Sequence, residues 1–364
     1  MLLPSNTNYF RRSLLAWNLE MNTRQMPWKG EKNPYKIWVS EIILQQTRVE
    51  QGIEYYKKFI NAFPDISALA NAEESLVLKC WEGLGYYSRC RNILHSAKMI
   101  KEKFNGRFPE NYAEIKSLKG VGDYTAAAIS SFAFNAPYAV VDGNVSRLLS
   151  RFFGIGMSVD SNAGKAQFAQ LAQQLLDKNA PAIYNQAIMD FGAVICKPRS
   201  PLCIRCPLNK KCQAFLENRV AELPVKQKLN LRKKRFFYYF LVKFKGKVYV
   251  QKRTAKDIWQ NLYEFPLIET EKEVTTEAVI LTESFGELFV GVKPVIMHQL
   301  PVRTQLLTHQ SITGSIFIVS INKPLKLLNH MFAVDEKEIA ALPFPKFINA
   351  YLQDKNVSLK LFQA

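Results

Sequence analysis

The sequence predicts two differently built regions: a mainly α-helical N-terminal domain closed by a metal-binding loop, then a smaller domain mixing α and β. Three observations predict this. Up to about residue 215 apolar residues recur at helical spacing. Four cysteines, Cys196, Cys203, Cys206 and Cys212, end that region with the spacing C-x6-C-x2-C-x5-C. From Phe236 onward the chain becomes aromatic and β-branched.

The helical pattern is clearest at Ile37, Val39, Ile42, Ile43 and Leu44, and again at Ile53, Tyr56, Phe59 and Ile60. Pro34, Pro64, Pro109 and Pro137 punctuate the helices. A glycine hairpin follows, with Gly120 and Gly122 flanking Val121 and a helix-forming run over 125–129. Glycine permits a close turn, and free amides at the next helix start can grip a phosphate without reading a base. A tight turn between packed helices is the plainer alternative.

The cysteine loop completes the first domain, 1–215. Met1 to Arg12 is short and polar rather than an apolar leader, so a reducing compartment is expected and metal is favoured over disulfides. Zinc sites usually pair two short cysteine knuckles, and only Cys203 and Cys206 form one. The wider gaps favour an iron–sulfur cluster, with zinc left open.

Residues 216–235 read as a basic linker, carrying Lys226, Lys228, Arg232, Lys233, Lys234 and Arg235. It is either simply solvated or in touch with a polyanion. The domain 236–364 opens with a strand over 236–244, a turn at Gly246, an alternating strand over 247–253 and a later strand over 314–320.

Composition narrows the function. Hydrophobic residues make up 48% of 364, enough for packed cores in two domains. No run of eighteen apolar residues occurs, so no membrane span is expected. A net charge of +18, carried by both regions, points to a polyanion such as DNA or RNA.

Two carboxylates sit in unusual company. Glu41 lies in an apolar helical stretch, where burial would raise its pKa toward that of a general acid. Asp142 follows an apolar run and precedes Gly143-Asn144, as a helix N-cap would. The helix end field would keep it ionised. One protonated and one ionised carboxyl is the pairing that glycosidic bond cleavage needs.

Several stretches now align in order over residues 24–212: Pro27-Trp28, 33–48, 81–89, the hairpin, 141–147, 185–192 and the cysteine loop. Together they resemble the MutY-type adenine DNA glycosylases of the helix-hairpin-helix superfamily, alongside endonuclease III. The resemblance implies a helix-hairpin-helix glycosylase domain with an iron–sulfur loop, then an α+β MutT-like (Nudix-like) domain. It implies one 4Fe-4S cluster on Cys196, Cys203, Cys206 and Cys212. The implied substrate is double-stranded DNA holding adenine opposite 8-oxoguanine or guanine. A monomer is expected, in the cytoplasm if the source is bacterial.

The resemblance also assigns roles. Glu41 would protonate N7 of a flipped-out adenine, and Asp142 would stabilise the oxocarbenium ion. Tyr124 and Asn144 would support them. Gln46 and Tyr86 would wedge into the stack. Gly120, Gly122 and Arg89 would meet DNA, and Thr308 and His309 would sense 8-oxoguanine. Arg24, Trp28 and Asp190 would line or edge the adenine pocket. Endonuclease III places a lysine at the Tyr124 position for strand cleavage, so a monofunctional glycosylase is expected here. The run at 262–266 echoes the MutT-like domain, but 266–291 lacks its Mg²⁺-binding glutamates, so pyrophosphohydrolase activity is not expected.

The chain departs from the family pattern at Lys119 for proline, at Lys29 for arginine, and at Asn261-Leu262-Tyr263 for Gly-Leu-Trp. A glycosylase for thymine opposite guanine is one competing reading. A non-catalytic iron–sulfur DNA-binding protein is another, and it leaves Glu41 and Asp142 unexplained.

Overall fold

The computed structural model describes residues 6–227, 232–326 and 331–354. Contacts divide the chain into two compact units. The first joins 1–71 with 95–228, and the second joins 72–94 with 229–364. Residues 72–94 therefore pack with the C-terminal region, although the helical N-terminal sequence surrounds them on both sides.

The helices before and within this insertion are α1 (Thr7–Glu20), α2 (Pro34–Leu44), α3 (Val49–Ala62), α4 (Ile66–Ala70), α5 (Glu74–Cys80) and α6 (Tyr87–Lys103). After it come α7 (Tyr112–Ser117), α8 (Asp123–Phe134), α9 (Gly143–Phe153), α10 (Asn162–Leu175), α11 (Pro181–Val194) and α12 (Gln213–Leu216). Asn33 starts α2 by accepting the Tyr35 and Lys36 amides, and Pro34 takes the first helical position, where no amide is needed. Eight of the eleven residues of α2 are buried, Glu41 among them.

One core of the first unit gathers Phe10, Leu14 and Trp17 of α1 around Leu148, Leu149 and Phe152 of α9 and Tyr184 and Phe191 of α11. The small face Ala126–Ala128 of α8 is buried. Gly192 is needed for packing rather than for its backbone angles. A Cβ there would lie 2.8 Å from both the Cβ and the carbonyl oxygen of Asn144.

The second unit is built on a sheet that among the described residues has eight strands. They are β1 (Lys233–Phe244), β2 (Lys247–Lys252), β3 (Tyr263–Glu264), β4 (Leu267–Thr270), β5 (Pro294–Gln299), β6 (Arg303–Leu306), β7 (Gln310–Ile321) and β8 (Met331–Asp335). The central path runs β3-β2-β1-β7-β5, with β4 on β1, β6 on β7 and β8 on β2. The long central pair β1 and β7 is parallel, from Lys233 opposite Gln310 to Lys243 opposite Ser320. Helices α13 (Thr276–Ile280), α14 (Glu283–Leu288) and α15 (Lys346–Leu352) complete the unit. On one face of β1, Tyr238, Phe240 and Val242 join Val279, Phe285 and Leu288. Tyr239 meets the Phe347 ring at 6.1 Å.

The strands read at 236–244 and 314–320 appear within β1 and β7, and the one read at 247–253 is β2, which ends at Lys252. The linker at 216–235 is shorter than its composition suggests. Leu223 is buried and its carbonyl accepts from Arg151, while the Gln227 amide donates to Asp160. Lys228 lies outside the described residues. Lys233, Lys234 and Arg235 already belong to β1, because Arg235 is drawn inward to pair with Asp257 and Glu269 at 2.8 and 2.6 Å. No described helix is long and apolar enough to cross a membrane.

Candidate active site

A cleft of about 1610 Å³ opens in the first unit, with Glu41, Tyr124, Asp142 and Asn144 in its wall. Three helices bring them there. Glu41 projects from α2 and is only 5% exposed. Tyr124, at the start of α8, donates its hydroxyl proton to Glu41 Oε2 at 2.7 Å. Asp142 caps α9.

The two carboxyls are in different environments. Burial pushes Glu41 up to about 7; the Tyr124 hydroxyl pulls it down and the nearby Asp142 charge pushes it further up. Burial also raises Asp142, but three donors oppose it. Its Oδ1 accepts the amides of Asn144 and Val145 at 2.8 and 2.7 Å, and its Oδ2 accepts Asn144 Nδ2 at 2.8 Å. Both the N-cap and the catalytic reading of Asp142 are thus compatible with one side chain.

Of the residues expected at the adenine pocket, Arg24 and Trp28 line the cleft. Asp190 does not line it. It is 0% exposed and lies behind Arg24 and Lys29, at 2.8 and 3.0 Å. Asn22 and Gln186 donate to the same carboxylate at 2.9 and 3.0 Å. Asp190 therefore positions cations at the cleft edge. Lys29 fills the arginine position with one ammonium, bonded also to the Arg24 carbonyl at 2.7 Å.

The hairpin lies between α7 and α8. Gly120 has φ 83°, a left-handed conformation suited to glycine. Gly122 is different: its backbone is extended, and a Cβ there would meet nothing within 4 Å. Space for a Cβ inside the protein does not explain the glycine, whereas close approach by an outside phosphate would. Lys116 and Tyr112 both bond Asp123 across the turn. Lys119, the proline departure, is exposed, and its carbonyl accepts from Ser96 at 3.2 Å. Gln46 is exposed at the cleft with φ 60°.

Tyr86, Arg89, Thr308 and His309 belong to the second unit. Tyr86 Oη and Thr308 Oγ1 are 2.5 Å apart, and Tyr86 is 45% exposed. His309 is exposed. Arg89 is buried and points inward, lying 5.4 Å over Trp81 and 5.3 Å over Tyr86 and donating to the Gly85 carbonyl. It braces the turn between α5 and α6 rather than offering an exposed charge to DNA.

The four cysteines line one small cavity whose other walls include Leu148, Phe152, Leu202 and Phe215. Burial raises the thiols of Cys203, Cys206 and Cys212, with Cys206 pushed up to about 12. Thiolates in so apolar a setting need a strong positive partner. Among the described residues no three His, Cys, Asp or Glu side chains are grouped closely enough to hold a metal ion. Four soft donors spread around one cavity fit a multi-atom iron–sulfur cluster better than a single tetrahedral zinc.

Two arginines were not singled out from the sequence. Arg147 Nε donates to the Cys196 carbonyl at 2.7 Å, and its Nη2 donates to Asn144 Oδ1 and the Gly192 carbonyl, both at 2.7 Å. Arg151 donates to the carbonyls of Lys197, Pro198 and Leu223 at 2.7, 3.3 and 2.9 Å. The one available signal was their i,i+4 spacing downstream of Asp142, which puts both on one helix face.

A buried acid and a helix-capping carboxylate, set in a helical cleft beside a glycine hairpin, define a helix-hairpin-helix base-excision glycosylase. The sequence model of the HhH-GPD superfamily base excision DNA repair proteins matches residues 39–176, and that of the NUDIX domain matches 238–354. The chain is 37% identical over 273 residues to the adenine DNA glycosylase of Buchnera aphidicola subsp. Baizongia pistaciae (strain Bp), covering 74% of this chain and 76% of that protein. It is 41% identical over 214 residues to the Homo sapiens adenine DNA glycosylase, covering 56% and 39%. A thermostable thymine-DNA glycosylase structure aligns with TM-score 0.54 and 29% identity, over 58% of this chain and 97% of that one. An endonuclease III–DNA complex shares the fold at TM-score 0.51 and 21% identity, over 60% and 99%. The chain belongs to the adenine DNA glycosylase family.

Proposed function

We propose that this enzyme excises adenine paired with 8-oxoguanine or guanine in double-stranded DNA, as a monofunctional glycosylase. The observation that carries the reading is the buried Glu41, held by Tyr124 and pushed up to about 7, beside an Asp142 with three donors. At neutral pH Glu41 is poised to deliver a proton to N7 of an extruded adenine, which turns the base into a neutral leaving group. Asp142 stabilises the positive charge that builds on the sugar, and water then completes hydrolysis. Asn144 fixes the Asp142 carboxylate. Tyr124 offers no amine for a Schiff base, which favours hydrolysis without strand cleavage.

The base must leave the stack to reach the cleft, at a cost of a few kcal/mol that a mispair reduces. Gln46 and Tyr86 would fill the gap left behind. Thr308 and His309 would meet the oxidised base, and the hairpin amides beside Gly120 and Gly122 would hold a phosphate. Arg24, Trp28 and Lys29 would edge the adenine site, with Asp190 behind them. Cys196, Cys203, Cys206 and Cys212 would hold one 4Fe-4S cluster. When bound, the cluster would supply the positive iron centres that keep four half-buried thiolates together, and would fix the basic loop of Lys197, Arg199, Arg205, Lys210 and Lys211.

A duplex with adenine opposite 8-oxoguanine, incubated with iron-loaded protein and then treated with alkali, should break at the adenine. Breakage without alkali would contradict the monofunctional reading. An intact adenine strand, with thymine released from a thymine–guanine duplex in the same mispair panel, would replace the substrate reading.

A further inference from the structure

The second unit holds a tip between α5 and α6 that carries Tyr86. The tip is tightly made: Trp81 Nε1 donates to the Gly85 carbonyl at 3.1 Å, and Gly85 and Tyr86 have φ 81° and 49°. A tyrosine in the left-handed region is held there by its surroundings rather than by preference.

Two polar grips hold the tip and the helices that flank it. At one, Lys79 Nζ donates to the Leu342 carbonyl at 3.0 Å, and Glu82 accepts the Phe344 amide at 2.9 Å. At the other, the turn at 260–261 takes hold of both helices. The Gln260 carbonyl accepts from Arg91 of α6 at 2.8 Å, and Asn261 Nδ2 donates to Glu74 Oε1 of α5 at 2.7 Å. Asn261 has φ 66°, an angle that glycine adopts freely and asparagine tolerates. Asparagine therefore keeps the turn and adds a side chain that reaches Glu74. The backbone of the same turn is fixed by the Asn261 amide bonding the Arg253 carbonyl at 2.7 Å.

We propose that Asn261 is a positioning residue that acts through Glu74 to set Tyr86 against Thr308, and thereby sets the preference for 8-oxoguanine over guanine. This rests on the reading of Tyr86 and Thr308 as the groups that meet the opposing base. The two bases differ only around C8 and N7, so discrimination depends on a ring and a hydroxyl held to fractions of an ångström. Tyr86 and Thr308 are already in hydrogen-bond contact. A loosened α5 lets the ring drift from that contact. Binding of an adenine–guanine duplex draws less on the pair and changes less.

The test uses full-length, iron-loaded protein made inactive by Glu41→Gln, and reads the ratio of dissociation constants for adenine–guanine and adenine–8-oxoguanine duplexes. Asn261→Gly keeps the turn and removes the side-chain bond to Glu74. The ratio should fall about tenfold, the scale of one lost hydrogen bond to a charged group, in protein that is still fully folded at the assay temperature. Glu74→Gln keeps an acceptor and should retain most of the preference. In a Tyr86→Ala background Asn261→Gly should change nothing further. An unchanged ratio in Asn261→Gly, or an equal fall without Tyr86, overturns the proposal. A parent protein that binds both duplexes equally would instead overturn the reading of Tyr86 and Thr308, and the proposal with it.

Discussion

For Glu41 the proposed chemistry and the stability cost share one cause. Burial raises its pKa from 4.5 to about 7. Between those values the unfolded chain has lost the proton that the folded chain keeps. Stability therefore falls as pH rises from about 4.5 to 7, by on the order of 3 kcal/mol. Glu41→Gln should abolish excision and also remove this slope, leaving the variant more stable than the parent at pH 8. Thermal unfolding at pH 5 and 8 checks it; parallel losses in both proteins would reassign the shift. Excision by the parent should decline above about pH 7. Tyr124→Phe removes a donor that lowers the Glu41 pKa, so the decline should move to higher pH in a pH–rate profile.

At the scale of elements, α9 carries the Asp142 cap at its start and contacts the cysteine loop along one face. α11 lies against it with no room to spare. Gly192→Ala puts a methyl group 2.8 Å from Asn144, so one helix must move. We expect a loss of about 1–3 kcal/mol in stability. Excision should fall more than tenfold, because Asn144 positions Asp142. A variant that unfolds earlier but keeps full single-turnover excision would show that the contact is only structural. Much of this site was legible in the sequence. The cysteine spacing, the apolar run around Glu41 and the Asp142-Gly143-Asn144 start are local patterns. Arg147 and Arg151 were not legible, because arginine in a basic chain reads as solvated until a loop folds over it. Asp190 was placed at the pocket by resemblance, and only the packing of α11 shows it one layer behind. Asn261 read as a lost glycine, since the partner for its side chain lies far away in the sequence.

At the scale of the whole molecule, the least legible feature was the membership of residues 72–94. They have the same helical texture as their neighbours, and no local signal ties them to a β-sheet. Their partners lie 169 to 263 positions away. A chain ending at Lys226 would lack all of them. Amide hydrogen exchange over 74–90 should then speed up by roughly a hundredfold relative to the full chain, as for a segment that opens locally. Exchange in α9 and α11 should change little. Unaltered protection at 74–90 would mean the segment stands without the C-terminal region.

This discontinuity has a consequence for synthesis. A ribosome makes Glu74 long before Asn261, 187 residues on, and Glu82 long before Phe344. At 5–20 residues per second, the first of those partners arrives roughly 10 to 40 s later. Helices on either side of the segment can pack while it waits. The tip that presents Tyr86 is therefore among the last parts of the enzyme to settle, and a nascent chain can bury Glu41 and cap α9 with Asp142 before it can hold Tyr86 against Thr308.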